Sequence, residues 1–374
     1  MSAVLIFVLL LYAILIIALA VGFEQVKDFQ LKPEIPAKKF SIVIPFRNEA
    51  DNLPQLLQSI QALDYPVDLF ELFFVNDESN DNSTQIIKST LVNSLINFTI
   101  INNMRTSASP KKDAISSAIK LSNFEWIITT DADCALPKLW LQYYNNFIKV
   151  NNSDFVVGPV NYHDNPGWFR AFQALDFMSL QGTTIGSFGL KQGFLCNGAN
   201  LAYKTSLFEN LKGFIGNDNV ASGDDVFLLQ KAMIAKQYKI HYLKSEKATV
   251  HTNPVATVSE LMAQRIRWAS KATAYTSWFS VLTAMVVFAT NTALVLVLLF
   301  GLIGWISVKT ILILWVGKAI LDLLILYKTA DFFNQKTILK YFIISFLIYP
   351  FFNIYVAFSS FFKGYNWKNR SFNK

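Results

Sequence analysis

The stretch Glu125–Cys134, EWIITTDADC, decides the fold. Trp126 to Thr130 is a short apolar and β-branched run, which reads as a buried strand. It delivers two carboxylates, Asp131 and Asp133, to its carboxyl end. Upstream the same alternation repeats. A helix runs from Lys111 to Leu121, preceded by a strand from Phe98 to Ile101. A helix through Ile87 follows a strand from Phe70 to Val75, and a helix from Leu53 to Leu63 follows a strand from Phe40 to Pro45. Strand and helix alternating at this spacing predict a mostly parallel sheet covered on both faces. Ligands of such sheets sit beyond the carboxyl ends of the strands, so chemistry is expected just after Pro45, Val75 and Thr130.

Outside this region the chain changes character. Of 374 residues, 53% are hydrophobic and only 16% charged, too apolar for a wholly soluble protein. The excess lies at the two ends. Val4 to Gly22 is an almost uncharged stretch of near-spanning length. No Lys or Arg precedes it, so a retained anchor is expected rather than a cleaved signal peptide. Lys27, Lys32, Lys38, Lys39 and Arg47 follow, which places the next domain in the cytoplasm by the positive-inside rule. After Ala256 comes a basic, amphipathic segment, Val258 to Tyr275, suited to lie flat at the interface. Apolar segments follow at Trp278 to Gly304, Val308 to Tyr327 and Tyr341 to Phe362, with Trp278, Trp305 and Tyr327 near their ends. The basic tail (Lys363, Lys368, Arg370, Lys374) favours the cytoplasm, whereas three spans would put it outside. Pro350 therefore suggests a bent hairpin. The resulting organisation is an anchor at 1–23, a catalytic domain at 38–256, an amphipathic helix at 257–276, a membrane region at 278–362 and a basic tail at 363–374.

The net charge of +7 fits an anionic partner, but no basic run or zinc spacing points to nucleic acid. Cys134 and Cys196 are too few for a disulfide framework and read as buried small apolar residues. Asp131 and Asp133 can converge on a hard cation, Mg2+ or Mn2+, completed by phosphate oxygens; solvated loop carboxylates are the plain alternative. In FFVNDESNDNS, Asp77 stands where it can accept from a base or ribose, and Asp81 reads as a helix cap. Pro45, Arg47 and Glu49 end the first strand. Lys111 and Lys112 oppose the dipole at a helix start, a conflict that a bound diphosphate would relieve. Asp224 and Asp225 precede an apolar helix; one serves as a cap and the other can act as a general base. Gln264 and Arg267 share a helix face with Trp268 beside it. Lys318 and Asp322, four apart in an apolar segment, read as a neutralising pair or as a contact for the polar group of a lipid acceptor.

Taken together these residues resemble the family 2 glycosyltransferases of GT-A fold. VIPFRNE, NDESND, KKDAI, DAD, CNGANLAYK, GDD and QRIRW occur in the family's order between Phe40 and Tyr275. WKNR (Trp367–Arg370) is similar to a tail of membrane-bound members that glycosylate lipids. The resemblance implies an α/β fold with a mostly parallel mixed sheet and transmembrane helices at both ends. It implies that Asp77 contacts the nucleoside and Lys111 the diphosphate, that Asp131 lies near the nucleotide, and that Asp133 binds the metal with Asp131 beside it. Pro45, Arg47 and Glu49 would join the nucleotide-sugar site. A strand from Asn197 to Ala202 (Asn197, Gly198, Ala199, Asn200) would line the acceptor and donor cleft. Asp225 would be the base, with Asp224 where the family commonly has Glu. Gln264, Arg267 and Trp268 would hold the diphosphate and the acceptor end. Asn76 departs from the commoner Asp.

The function expected is inverting transfer of a hexosyl group from a nucleotide-diphosphate sugar to a lipid or lipid-linked acceptor. The setting expected is the cytoplasmic face of a bacterial inner membrane. A processive polysaccharide synthase is the alternative, disfavoured by the few helices left for a channel. A sugar nucleotidyltransferase would carry a Gly-rich loop after the first strand, and VIPFRNEADN has none. A non-catalytic scaffold would not need Asp131, Asp133, Asp225 and Arg267 together.

Overall fold

The structure is a computed structural model that describes residues 2–163, 167–217, 220, 222–362, 365–367 and 370–372. Its strands are β1 (Phe40–Phe46), β2 (Phe70–Asn76), β3 (Asn97–Asn102), β4 (Trp126–Thr129), β5 (Phe155–Val157), β6 (Val160–Tyr162), β7 (Leu201–Lys204), β8 (Ile240–Tyr242) and β9 (Val250–Thr252). Its helices are α1 (Ser2–Gln25), α2 (Leu53–Gln61), α3 (Ser83–Leu91), α4 (Pro110–Leu121), α5 (Trp140–Asn151), α6 (Trp168–Gly189), α7 (Thr205–Asn210), α8 (Asp224–Ala235), α9 (Val258–Ala269), α10 (Trp278–Leu302), α11 (Val308–Phe332) and α12 (Phe342–Phe362). The chain divides into two units. One holds residues 27–163 and 195–253, the other residues 1–26, 164–194 and 254–374.

The first unit is built on a sheet of order β3-β2-β1-β4-β7-β5-β8. The strands β3, β2, β1 and β4 are parallel, β7 runs antiparallel to both β4 and β5, and β8 is parallel to β5. The strands β1, β2 and β4 are almost wholly buried, as apolar runs covered on both faces must be. Glu71 is the one polar residue buried within β2. Its carboxylate accepts from Ser41 Oγ at 2.6 Å and from the Asn123 backbone N–H at 2.8 Å, which makes its burial tolerable. The chain winds outward from β1 to β3 and then crosses back to place β4 on the other side of β1. The order therefore reverses between β1 and β4, the place where open α/β sheets bind ligands. The expected strand from Asn197 to Ala202 is shorter and later. Gly198–Asn200 form a 3-10 turn and β7 begins at Leu201, because the Asn197 side chain caps the turn by accepting from the Ala199 N–H at 3.0 Å. Cys134 is buried, but Cys196 is only partly so, because it stands in the open segment before that turn.

The second unit is helical. Among the described residues, four helices are long and apolar enough to cross a membrane: Ala3–Gln25, Trp278–Leu302, Val308–Phe332 and Lys336–Phe362. The exposed stripe of α1 is Val4, Phe7, Leu10, Ile14, Ile17 and Val21, an all-apolar face. Its other face meets α6 through glycines. A Cβ added at Gly189 would stand 1.8 Å from Gly22 O, and one at Gly186 2.3 Å from Leu19 O, so the two backbones touch directly. The helix α6 lies inside the range read from sequence as catalytic, yet it belongs to this unit. Two further expectations change. The last apolar segment is one helix that continues through Pro350 rather than a bent hairpin, with Phe346 and Pro350 both buried. The amphipathic segment is helical only to Ala269, then a 3-10 turn to Ala274. Its apolar face does not lie open: Leu261 and Ile266 pack with Phe172, Phe352 and Val356. In the tail, Trp367 pairs with Arg370 in a short antiparallel hairpin, while Lys363, Lys368 and Lys374 lie outside the described residues.

Candidate active site

The sheet unit gathers most of the sequence-derived candidates at the carboxyl ends of β1, β2 and β4. At β2, the Asp77 N–H donates to Phe46 O at 2.9 Å, which ties the ends of β1 and β2 together. Arg47 reinforces the tie, donating from Nη1 to Asp77 O at 2.7 Å and to Glu78 O at 2.9 Å. Pro45 is the penultimate residue of β1 and is half-buried. Glu49 accepts from Asn52 Nδ2 at 2.7 Å at the entry to α2. Asp81 acts as a cap, accepting from the Ser83 N–H at 3.1 Å and the Ala50 N–H at 2.9 Å. Two residues that the sequence reading passed over complete this corner. Asn103 Nδ2 and Arg105 Nε each reach Asp77 Oδ1 at 2.8 Å, and Arg105 also pairs with Glu78. Their signal was available: they follow β3, another carboxyl end in the same sheet.

The start of α4 is the centre of the arrangement. Three consecutive side chains go to three different loops. Lys111 Nζ lies 2.6 Å from Asp131 Oδ1 and 3.4 Å from Asp224 Oδ2. Lys112, almost fully buried, donates to the carbonyls of Asn217 and Val220. Asp113 accepts from the backbone N–H groups of Thr106 and Ser107. Burial alone would push the Lys111 ammonium down. The carboxylates of Asp131, Asp224 and Asp225 outweigh it and hold the group above the ordinary lysine range. They also relieve the conflict with the helix dipole that a diphosphate was expected to relieve, and Lys112 is committed to backbone carbonyls.

Asp224 and Asp225 open α8, with Gly223 before them at φ 86°, a conformation that favours glycine. Asp225 Oδ2 accepts from the Gly198 N–H at 3.1 Å and its Oδ1 from the Val226 N–H at 2.7 Å. Gly198 O in turn accepts from Thr129 Oγ1 at 2.6 Å, so the turn after Asn197 links the end of β4 to the start of α8. A Cβ at Gly198 would stand 3.0 Å from Asp224 Oδ2 and 3.4 Å from Lys111 Nζ. Ala199 is buried. Asn200 is buried and saturated: its Oδ1 accepts from Trp140 Nε1 and Tyr144 OH, and its Nδ2 donates to Pro159 O and Ala248 O. It therefore holds the scaffold and turns no polar atom to a ligand.

Asp133 is partly exposed, and its Oδ1 faces Cys134 Sγ at 3.7 Å. Burial, then the Asp133 and Asp131 charges, push the Cys134 thiol well up, which keeps it neutral. Among the described residues no group of three or more His, Cys, Asp and Glu side chains could hold a metal ion. Mg2+ and Mn2+ nevertheless suit one or two carboxylates supplemented by phosphate and water, and that is the donor set Asp131 and Asp133 offer.

Gln264, Arg267 and Trp268 belong to the helical unit. There Arg265, which the sequence reading did not single out, organises the motif. Its Nε lies 2.6 Å from Asp176 Oδ2 on α6, both side chains buried. Its guanidinium stacks 4.3 Å from the Trp268 ring centroid and donates to Gln264 Oε1. Lys318 and Asp322 form a 2.5 Å pair, with Lys318 buried among the rings of Tyr12, Phe346 and Tyr349 and Asp322 accepting from Tyr12 OH.

Residues 41–212 match the model of glycosyl transferase family 2. Over those residues the chain is similar to this family. Over 231 residues it is 24% identical to a poly-β-1,6-N-acetyl-D-glucosamine synthase of Staphylococcus epidermidis, covering 61% of this chain and 53% of that one. Over 165 residues it is 29% identical to an undecaprenyl-phosphate 4-deoxy-4-formamido-L-arabinose transferase of Serratia proteamaculans, covering 41% and 48%. The chain spans between 19% and 53% of the length of the curated relatives it matches. Among solved structures, the mannosyltransferase PcManGT of Pyrobaculum calidifontis, determined with GDP-Man and Mn2+, superposes with a TM-score of 0.58 at 19% identity. That superposition covers 92% of this chain and 98% of that one, and it makes the fold GT-A.

Proposed function

We propose that this glycosyltransferase domain moves a sugar from a nucleotide-diphosphate donor to a lipid or lipid-linked acceptor at the cytoplasmic face of a membrane, with inversion. The observation that carries the reading is the Lys111 ammonium held between Asp131 and Asp224, with Asp225 fixed one residue on. Such a cluster pairs a cation for a diphosphate leaving group with a carboxylate for an acceptor proton. Asp225 takes the proton of the acceptor hydroxyl as its oxygen attacks the anomeric carbon and the bond to the diphosphate breaks. Lys111 offsets the charge that develops on the leaving phosphate. Asp77, with Arg105 and Asn103 fixing its carboxylate, takes the nucleoside; Pro45, Arg47 and Glu49 border it. Asp131 and Asp133 would hold Mg2+ or Mn2+, which when bound neutralises the diphosphate. Gln264, Arg267 and Trp268 are assigned to the diphosphate and acceptor end.

The lipid acceptor is supported by four span-length helices and by the Serratia relative, whose name gives undecaprenyl phosphate as its substrate. The experiment is a donor screen in membranes read by lipid mass spectrometry; absence of a glycosylated lipid with every donor overturns the reading. A second reading, a processive synthase, is favoured by the Staphylococcus relative, and product length on purified enzyme separates the two. The cytoplasmic side rests on the lysines after α1. A cysteine placed at Asn82 that reacts with an impermeant reagent from outside intact cells overturns it.

A further inference from the structure

We infer that Lys112 and Lys231 form a clamp on the backbone carbonyls of Leu211, Gly213, Ile215, Asn217 and Val220, ahead of Asp224 and Asp225, making Lys112 a positioning residue for the base. The inference rests on the assignment of Asp225 proposed above. Lys112 Nζ, on α4, donates to Asn217 O at 2.5 Å and Val220 O at 2.8 Å and stands 4.9 Å over the Phe227 ring. Lys231 Nζ, on α8, donates to Gly213 O and Ile215 O, both at 2.7 Å, and lies 3.4 Å from Leu211 O. Five carbonyls between Leu211 and Val220 thus converge on two ammonium groups carried by two helices.

The chemistry of this arrangement is specific. A buried ammonium is costly and persists only where several oxygens and a ring face replace its water. The five carbonyls lie outside the helices and strands of the sheet unit, and the two lysines donate to them. The clamp also has a direction. Lys112 follows Lys111, so one turn of α4 fixes both the cation proposed for the leaving group and the chain that delivers the base. Phe227, under the Lys112 ammonium, is two residues after Asp225 on α8. Removing the Lys112 ammonium frees the carbonyls of Asn217 and Val220 while the Lys111–Asp131 contact remains.

The test is Lys112→Met in the full chain in membranes, read as nucleotide affinity, donor KM and kcat. Methionine keeps the stem and removes the ammonium. The expected result is a kcat loss of about 10- to 10²-fold, the scale of a misplaced catalytic group, with nucleotide affinity and donor KM within about threefold of wild type. Lys112→Arg, which restores a cation, should recover part of kcat. A wild-type kcat overturns the proposal, and so does a nucleotide affinity that falls in step with kcat. If Lys112→Met does not fold, Lys231→Met, at the more exposed end of the clamp, decides: a smaller kcat loss at unchanged affinity supports the clamp, and an unchanged kcat overturns it. Asp225→Asn is measured alongside. If it keeps wild-type turnover, the base assignment itself fails. If it loses turnover while Lys112→Met does not, only the clamp fails.

Discussion

The backbone N–H of Gly198 donates to Asp225 Oδ2 at 3.1 Å, so the turn before β7 holds the carboxylate proposed as the base. With Val226 N–H on the other oxygen, both oxygens of Asp225 accept from the backbone. An amide cannot accept at both atoms. Asp225→Asn should therefore lose about 10²–10⁴-fold in transfer and also cost about 1–3 kcal/mol in stability, as one N–H loses its acceptor. Turnover and thermal unfolding on the same preparation check both parts; wild-type turnover in the folded variant refutes the assignment.

Lys111→Met leaves Asp131 and Asp224 facing a shared space without their cation. Nucleotide-sugar affinity should fall at least about tenfold, the loss expected for a charge-assisted contact. Calorimetric titration with the nucleoside diphosphate measures it. Equal affinity in the variant would remove Lys111 from the diphosphate site.

Chelation should abolish transfer, with Mg2+ or Mn2+ restoring it, and Asp133→Asn should weaken both nucleotide binding and turnover. Full activity in excess chelator contradicts a metal held by Asp131 and Asp133.

Acid should loosen the sheet unit through a histidine pair. The rings of His163 and His251 stack with centroids 5.1 Å apart, and His251 is pushed down to about 4 by burial, then by His163. Its folded value lies below the unfolded value of about 6.5, so the stability it contributes is complete above pH 6.5 and lost as pH falls to 4. The loss approaches about 3 kcal/mol. Unfolding of wild type and His251→Gln across that window is the measurement. An identical pH slope in both would assign the effect elsewhere.

Lys318 and Asp322 should behave as a coupled pair. Lys318→Met alone leaves a carboxylate with Tyr12 in an apolar unit and should cost about 3–5 kcal/mol; changing both residues to Leu should cost less than either single change. Unfolding in detergent gives the cycle. Lost acceptor use in a folded double variant would instead point to a lipid contact.

Local patterns were enough for the alternation of strands and helices from Phe40 to Thr129, the span-length segments, and the placing of Asp77, Asp131 and Asp133 at strand ends. Periodicity and strand length are properties of neighbouring residues, so they are written in the chain itself. Pairing across the chain is not. Lys112 finds its carbonyls 105 and 108 residues downstream, and a lysine at a helix start looks the same whether it meets phosphate or backbone. Arg265 meets Asp176 89 residues away, on a helix that local reading assigned to the catalytic range. Asn200 read as a cleft residue because its motif does; burial by Trp140 and Tyr144 made it scaffold. Sequence by itself determined which residue types reach the carboxyl edge of the sheet. Tertiary structure alone decided which of them face one another, because the energy of a buried charge depends on partners that only folding brings within hydrogen-bonding distance.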